Sequence, residues 1–165
     1  RCMQLLDYHR FPHPASVTED AFLVWRTELV QTGQILAAEA ALLVPSLILP
    51  FLRTQLAERM AAADRRGRLR REQPFVMGIP ANRLKDSFPA EETVLIQGII
   101  DAFFIEDGEI VLVDYKSDHV REAETLIGRY KKQLELYAEA LEKITGLRVK
   151  EKLIYSIILE RTIPV

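Results

Sequence analysis

Two aspartates and a lysine, Asp101, Asp114 and Lys116, have the types and spacing to do chemistry together. The pair Asp107-Gly108 separates two apolar runs, Val94–Ile105 and Glu109–Tyr115. Apolar runs flanking Asp-Gly predict a hairpin with a two-residue turn. Glu106 then faces Glu109, Ile105 faces Ile110, Phe103 faces Leu112, and Asp101 faces Asp114. Directly opposed residues project to one face, with Cβ atoms roughly 4.5–5.5 Å apart. Lys116 follows Asp114 by two residues and falls on that face too. A bulge would shift this register by one. Opposed carboxylates repel unless something positive sits between them. Hard oxygen ligands suit magnesium or manganese. Such an ion polarises a phosphoryl oxygen and makes hydroxide available near neutral pH. An ammonium beside it orients the water and neutralises charge developing on phosphorus. These are the parts of phosphodiester hydrolysis.

The elements that must hold these residues can be read from the rest of the chain. The first half is helical in pattern. Ser16 with Glu19 makes a capping-box pattern before a helix over Ala21–Thr32, and Gly33 suits its stop. A second helical stretch, Gln34–Val44, ends at Pro45; a third, Phe51–Ala63, begins after Pro50. Arginines cluster around Gly67 between Arg65 and Arg71, and Leu69–Val76 reads as a strand. After the hairpin, Ala123, Leu126, Tyr130, Leu134, Tyr137 and Leu141 recur at helical spacing within Arg121–Thr145, and Gly146 closes that helix. Lys152–Leu159 is a final strand. Strand, helix, strand predicts a right-handed crossover and a parallel pair. The expected fold class is α/β, a mixed sheet flanked by helices. One domain spans 1–165, with a helical part over 1–64 and an α/β core over 65–165.

Composition narrows the function. The chain has 165 residues, 48% hydrophobic and 28% charged, and a net charge of −2. The first three place it among globular domains able to bury a core. The net charge means that the whole surface is not an electrostatic glove for nucleic acid, so any DNA contact needs a local patch or a partner. A single cysteine, Cys2, excludes a disulfide framework, a cysteine zinc site and a four-cysteine iron–sulfur cluster within the chain. A reducing, cytoplasmic setting fits. There is no signal peptide, and no apolar run reaches about eighteen residues, so no membrane partner is expected. Ile35–Leu52 is apolar but interrupted by Glu39, Pro45 and Pro50. The start at Arg1 without methionine and the strand-like end read as cuts in a longer protein.

Gly98-Ile99-Ile100-Asp101 followed by Asp114-Tyr115-Lys116 resembles the G-x-x-D … D-Y-K pair of RecB-family nucleases of the PD-(D/E)XK superfamily. Gln133-Leu134-Glu135-Leu136-Tyr137 resembles their Q-x-x-x-Y motif, and Arg71-Glu72-Gln73-Pro74-Phe75 their upstream R-E-x-P-F strand. Order and spacing agree from Leu69 to Leu159, most closely with the C-terminal nuclease domains of AddA-type helicase–nucleases. The resemblance implies a restriction-endonuclease-like core and a magnesium- or manganese-dependent DNA exonuclease. It implies Asp101 and Asp114 as metal ligands, with the Tyr115 backbone carbonyl beside them, and Lys116 as the catalytic lysine. Gln133 and Tyr137 would position the site or the DNA strand, and Glu72 would be a further acidic contributor. The implied partners are DNA single strands emerging from a helicase, the helicase part of the same chain and a second, AddB-like protein, acting in double-strand-break repair and recombination. In one respect the chain departs from the family. The family's metal-binding histidine would stand immediately before Arg1, so the chain as given is expected to bind metal weakly and cleave poorly until extended by one helix.

Plainer readings stand beside these. An aspartate within Ile99–Phe104 is costly to bury unpaired, which weighs against an ordinary strand-end role. Glu72 could form a surface ion pair with Arg70 or Arg71, and Tyr130 and Tyr137 could be core residues. His9, His13 and His119 read as solvated loop residues, and Arg65–Arg71 as a solvated turn. The alternative function is a non-catalytic DNA-binding or scaffolding domain of the same fold. The chain has neither G-x-G-x-x-G after a strand nor G-x-x-x-x-G-K, which speaks against a nucleotide-binding domain of another α/β family.

Overall fold

The computed structural model describes residues 2–83, 85 and 87–165. Arg1, before which the family register puts a histidine, lies outside them, as do Leu84 and Asp86.

The helical half is more broken than its periodicity predicts. Helix α1 spans Glu19–Gln31 and is capped by Thr18, whose hydroxyl accepts from the Ala21 amide at 3.2 Å. Ser16 does not cap it. That residue belongs to a separate single turn, Pro14–Ser16, and its hydroxyl donates to the His13 carbonyl. Gly33 (φ 69°) turns the chain as expected, but the Gln34 and Ile35 amides bond back to Leu29. Helix α2 therefore starts late and covers only Ala37–Leu42. Pro45 opens a helix where the sequence pattern has it close one: α3 is Pro45–Leu52, with Pro50 inside. Proline is well suited to the first helical position, where its missing N–H costs nothing. The expected helix over Phe51–Ala63 is interrupted by Thr54, which caps α4, Gln55–Asp64.

Five strands form one sheet in the order β1-β2-β3-β4-β5: Leu69–Pro80, Thr93–Glu106, Glu109–Lys116, Val149–Ser156 and Arg161–Pro164. Only the β3–β4 pair is parallel. Helix α5, Ala123–Thr145, makes the crossover and stops at Gly146, which holds φ 71°. The fold is α/β with a mixed sheet. Helices α1–α4 cover one face with a core that includes Phe22, Trp25, Phe51 and Tyr155. Helix α5 covers the other with Leu126, Leu134 and Leu141 against Leu112 and Ile154. No helix among the described residues is long and apolar enough to cross a membrane.

Strand β4 begins at Val149, three residues before the expected start, and a turn takes Ile157–Glu160 out of it. Its early residues are charged but paired. Arg59 of α4 bonds both Glu106 and Glu151, and Lys150 reaches Glu106 at 2.8 Å. Arg59 first, then Lys150, hold the Glu106 carboxyl down at about 2. Strand β5 has only Ile163 buried, too little pattern to announce itself.

The turn at Asp107-Gly108 sets the predicted register, with Glu106↔Glu109, Ile105↔Ile110 and Phe103↔Leu112. Pairing of β2 with β3 ends at Ala102↔Val113, one step before Asp101 and Asp114. On the other side, β1 pairs Arg71↔Ala102 and Gln73↔Ile100, leaving a gap at Glu72 and Asp101. Glu72 there has φ 49°, a left-handed conformation uncommon outside glycine. Strict alternation breaks here as well: Ile100 and Phe103 both pack toward α5, while Ala102 and Phe104 pack toward α1–α4. Beyond this kink the β1–β2 ribbon continues without β3. Asp101 thus sits where β2 leaves the three-stranded part of the sheet.

Candidate functional site

The end of the β2–β3 hairpin brings the two aspartates and the lysine together. The Asp101 carboxylate accepts the Tyr115 amide N–H at 2.9 Å, which ties the strand that left the ladder back to β3. Asp114 is 2% exposed. Its Oδ2 lies 2.6 Å from the Lys116 ammonium. The approach is poorly angled, and that buried oxygen has no well-directed hydrogen-bond donor among the described residues. Burial pushes the Asp114 carboxyl above its ordinary range; Lys116 opposes the shift, and Asp101 and Asp118 add to it. A buried, under-satisfied carboxylate facing a second carboxylate is costly, and such groups cluster where chemistry is done.

Helix α5 supplies the next layer. Lys116 Nζ is 3.4 Å from Gln133 Oε1, a long contact. Gln133 Nε2 in turn donates to the Tyr137 hydroxyl at 2.9 Å. Gln133 and Tyr137 are four apart and share a helix face, as expected. The Tyr137 ring packs edge-on against Phe75 of β1, with centroids 5.5 Å apart. Gly98 explains itself here. A Cβ at that position would meet Phe75 Cε1 at 2.9 Å and Tyr137 Cε1 at 3.7 Å. Phe75 is buried and has little room to move. Gly98→Ala is expected to destabilise the fold by about 1–3 kcal/mol through overpacking. A thermal melt checks this, and Phe75→Leu in the same chain should recover much of the loss; an unchanged melting point for Gly98→Ala would mean that the ring yields freely.

The remaining candidates fall differently. The Tyr115 side chain leaves the site: its hydroxyl contacts Met60 Sδ at 3.7 Å and its ring packs edge-on to Phe51. That anchors β3 and leaves only the backbone of Tyr115 for the site. Glu72 is exposed at the kink opposite Asp101, and among the described residues its carboxylate makes no ion pair or hydrogen bond. The surface pair with Arg70 or Arg71 does not form. Arg70 donates to the Gly67 and Leu69 carbonyls, while Arg71 stacks on Tyr8 and lies 3.8 Å from Asp64. Arg71 is thus a structural residue, in contrast to the solvated turn expected of its cluster. His119 lines an apolar cavity of about 430 Å³ with Leu47 and Ile158, beside the strand end that carries Lys116.

Two residues are not marked as site residues by the sequence pattern. Tyr130 has its ring face 4.2 Å from the Lys116 ammonium, and its hydroxyl donates to Asp118 at 2.9 Å. Asp118 follows Lys116 by two residues, in phase with Asp114, which was a usable signal. Among the described residues no three His, Cys, Asp or Glu side chains gather as a metal cage. The donor set is Asp101 and Asp114, both hard oxygen ligands, with the backbone beside them. The under-satisfied Asp114 oxygen fits a cation as its missing partner.

Comparison with known proteins gives a consistent result. A family model described as the PD-(D/E)XK nuclease superfamily matches residues 6–162. Proteins named as ATP-dependent helicase/nuclease subunits, of the AddA type, are similar to the chain: that of Clostridium beijerinckii at 32% identity and that of Syntrophomonas wolfei at 36%, each over 99% of this chain and 13% of the relative. The one from Thermoanaerobacter sp. is 44% identical over 64% of this chain. The chain therefore spans only 13% of the length of relatives that it matches end to end. Among solved structures, the crystal structure of SSO0001 covers 85% of this chain and 59% of its own at a TM-score of 0.41 and 13% identity, too loose a match to build on.

Proposed function

Because the chain belongs to the PD-(D/E)XK nuclease superfamily, we propose that Asp101, Asp114 and Lys116 form the active site of a DNA exonuclease domain that uses magnesium or manganese. The observation that carries this reading is the buried Asp114 oxygen without a directed donor, set between the Lys116 ammonium and the neighbouring Asp101. The two carboxylates would hold the ion, with the Tyr115 backbone carbonyl as a further ligand. When bound, such an ion supplies a Lewis acid for the phosphoryl oxygen and lowers the pKa of coordinated water.

The chain's own residues do the rest. The Lys116 ammonium orients the attacking water and offsets charge growing on the phosphoryl oxygens. Gln133 steadies Lys116 through its amide oxygen, and the Tyr137 hydroxyl fixes which way that amide faces. Asp101, hydrogen-bonded to the Tyr115 amide, keeps its carboxylate at the hairpin end. Glu72, exposed opposite Asp101, is a further acidic contributor that strand or metal could reach. The substrate is single-stranded DNA. Relatives named as helicase/nuclease subunits support a strand fed by a helicase part of a longer polypeptide, a second, AddB-like protein, and a cytoplasmic role in double-strand-break repair and recombination.

The test uses the full-length protein and an end-labelled single-stranded oligonucleotide. Digestion is expected with magnesium, lost on adding EDTA, and restored by excess manganese. Digestion that continues in EDTA, or is undiminished in Asp101→Ala, would refute the proposal.

A further inference from the structure

We infer that Tyr130, held by Asp118, is a positioning residue that keeps the Lys116 ammonium available to the reacting phosphate. This rests on the proposal that Lys116 serves hydrolysis. Lys116 Nζ lies 2.6 Å from a carboxylate oxygen of Asp114. Left to that contact alone, the lysine would pair fully with Asp114 and occupy an oxygen that the proposed metal needs. The long contact to Gln133, at 3.4 Å, is a weak counterweight. The Tyr130 ring, 4.2 Å from Nζ, is a stronger one. A ring face attracts a cation through its quadrupole without consuming a directed N–H donor. It can therefore hold the ammonium in place and leave its protons for a phosphate oxygen or the attacking water.

The ring is itself fixed at its far end. The Tyr130 hydroxyl lies 2.9 and 3.0 Å from the two oxygens of Asp118. Asp118 is pinned in turn by Arg129 at 3.0 Å. Tyr130, Gln133 and Tyr137 stand three and four residues apart on α5, so one helix face presents the whole arrangement to the hairpin end. A core role alone explains the ring's burial against α5. It does not explain a hydroxyl clamped by a carboxylate on the loop directly after β3 and a face turned to Lys116.

The experiment measures kcat and KM for single-strand digestion by the full-length protein. Tyr130→Leu is expected to lower kcat about tenfold with KM changed less than twofold, the scale of a lost cation–π contact in a shielded site. Tyr130→Phe keeps the ring and should recover most of that loss. Asp118→Asn weakens the clamp and should lower kcat about threefold. In a Lys116→Ala background neither Tyr130→Leu nor Asp118→Asn should reduce the residual single-turnover rate further. Equal losses in Tyr130→Leu and Tyr130→Phe, or losses that persist in full without Lys116, would make Tyr130 a packing residue and overturn the inference. If Tyr130→Leu does not fold, Tyr130→Phe and Asp118→Asn decide through the same non-additivity. Full activity in Lys116→Ala alone would instead remove the underlying reading of the site.

Discussion

Replacing Lys116 by alanine is expected to lower single-strand digestion about a thousandfold while manganese still binds. Lys116 is the cation that touches Asp114, and its other neighbours, Gln133 and the Tyr130 ring, are neutral. Losing one preorganised donor aimed at developing charge costs on the order of 100- to 1,000-fold. Loss of water orientation adds to this, because small misplacements are amplified in rate. Metal affinity should hold or rise, since a competing charge leaves the carboxylates. The effect belongs in kcat, because an interaction strengthened only in the transition state leaves KM alone. Steady-state kinetics beside a manganese titration check both halves. A lysine variant that loses metal and activity together would mean that Lys116 builds the site and does not act in it.

Asp114→Asn should abolish digestion and at the same time raise the melting temperature of the metal-free protein. Burial raises the folded-state pKa of Asp114 above its ordinary 3.8, against the pull of Lys116. A carboxyl whose pKa is raised on folding contributes stability fully below pH 3.8 and loses it as pH climbs through the folded-state value. At neutral pH the ionised form is therefore a burden on the fold, and the neutral, nearly isosteric amide relieves it. A gain of about 1 kcal/mol would raise the melting point of a domain this size by roughly 2–4 °C. Measured against pH, the advantage of Asp114→Asn should shrink toward acid, where the native carboxyl also becomes neutral. Saturating magnesium should reverse the order, because only the native carboxylate gains a ligand. If Asp114→Asn melts lower at neutral pH without metal, the lysine pair outweighs burial and the strain assigned to this site is misplaced.

The catalytic hairpin was the most legible part of the molecule because its signals are local. Asp107-Gly108 admits few turns, and the turn fixes every pair up to Ala102↔Val113. Gln133 and Tyr137 were legible through helical spacing. What failed depended on contacts distant in sequence. Pro45 can end one helix or begin the next, and packing of Ile48, Leu49 and Leu52 against the core decides for the second. Charges at Lys150 and Glu151 hid the start of β4, since their partners Glu106 and Arg59 lie far back in the chain. The positive φ of Glu72 had no sequence warning, because glycine is the residue that advertises that conformation. Tyr130 read as core by periodicity; only its hydroxyl on Asp118 and its face on Lys116 reveal another part.

The most direct test of the central claim, that Asp101 and Asp114 together hold a catalytic divalent ion, is a calorimetric titration of manganese into the full-length protein, compared with Asp101→Asn and Asp114→Asn. The account predicts one site of micromolar to millimolar affinity that is lost in both variants and whose filling tracks the onset of single-strand digestion. Undiminished binding in both variants, with digestion still dependent on manganese, would contradict it.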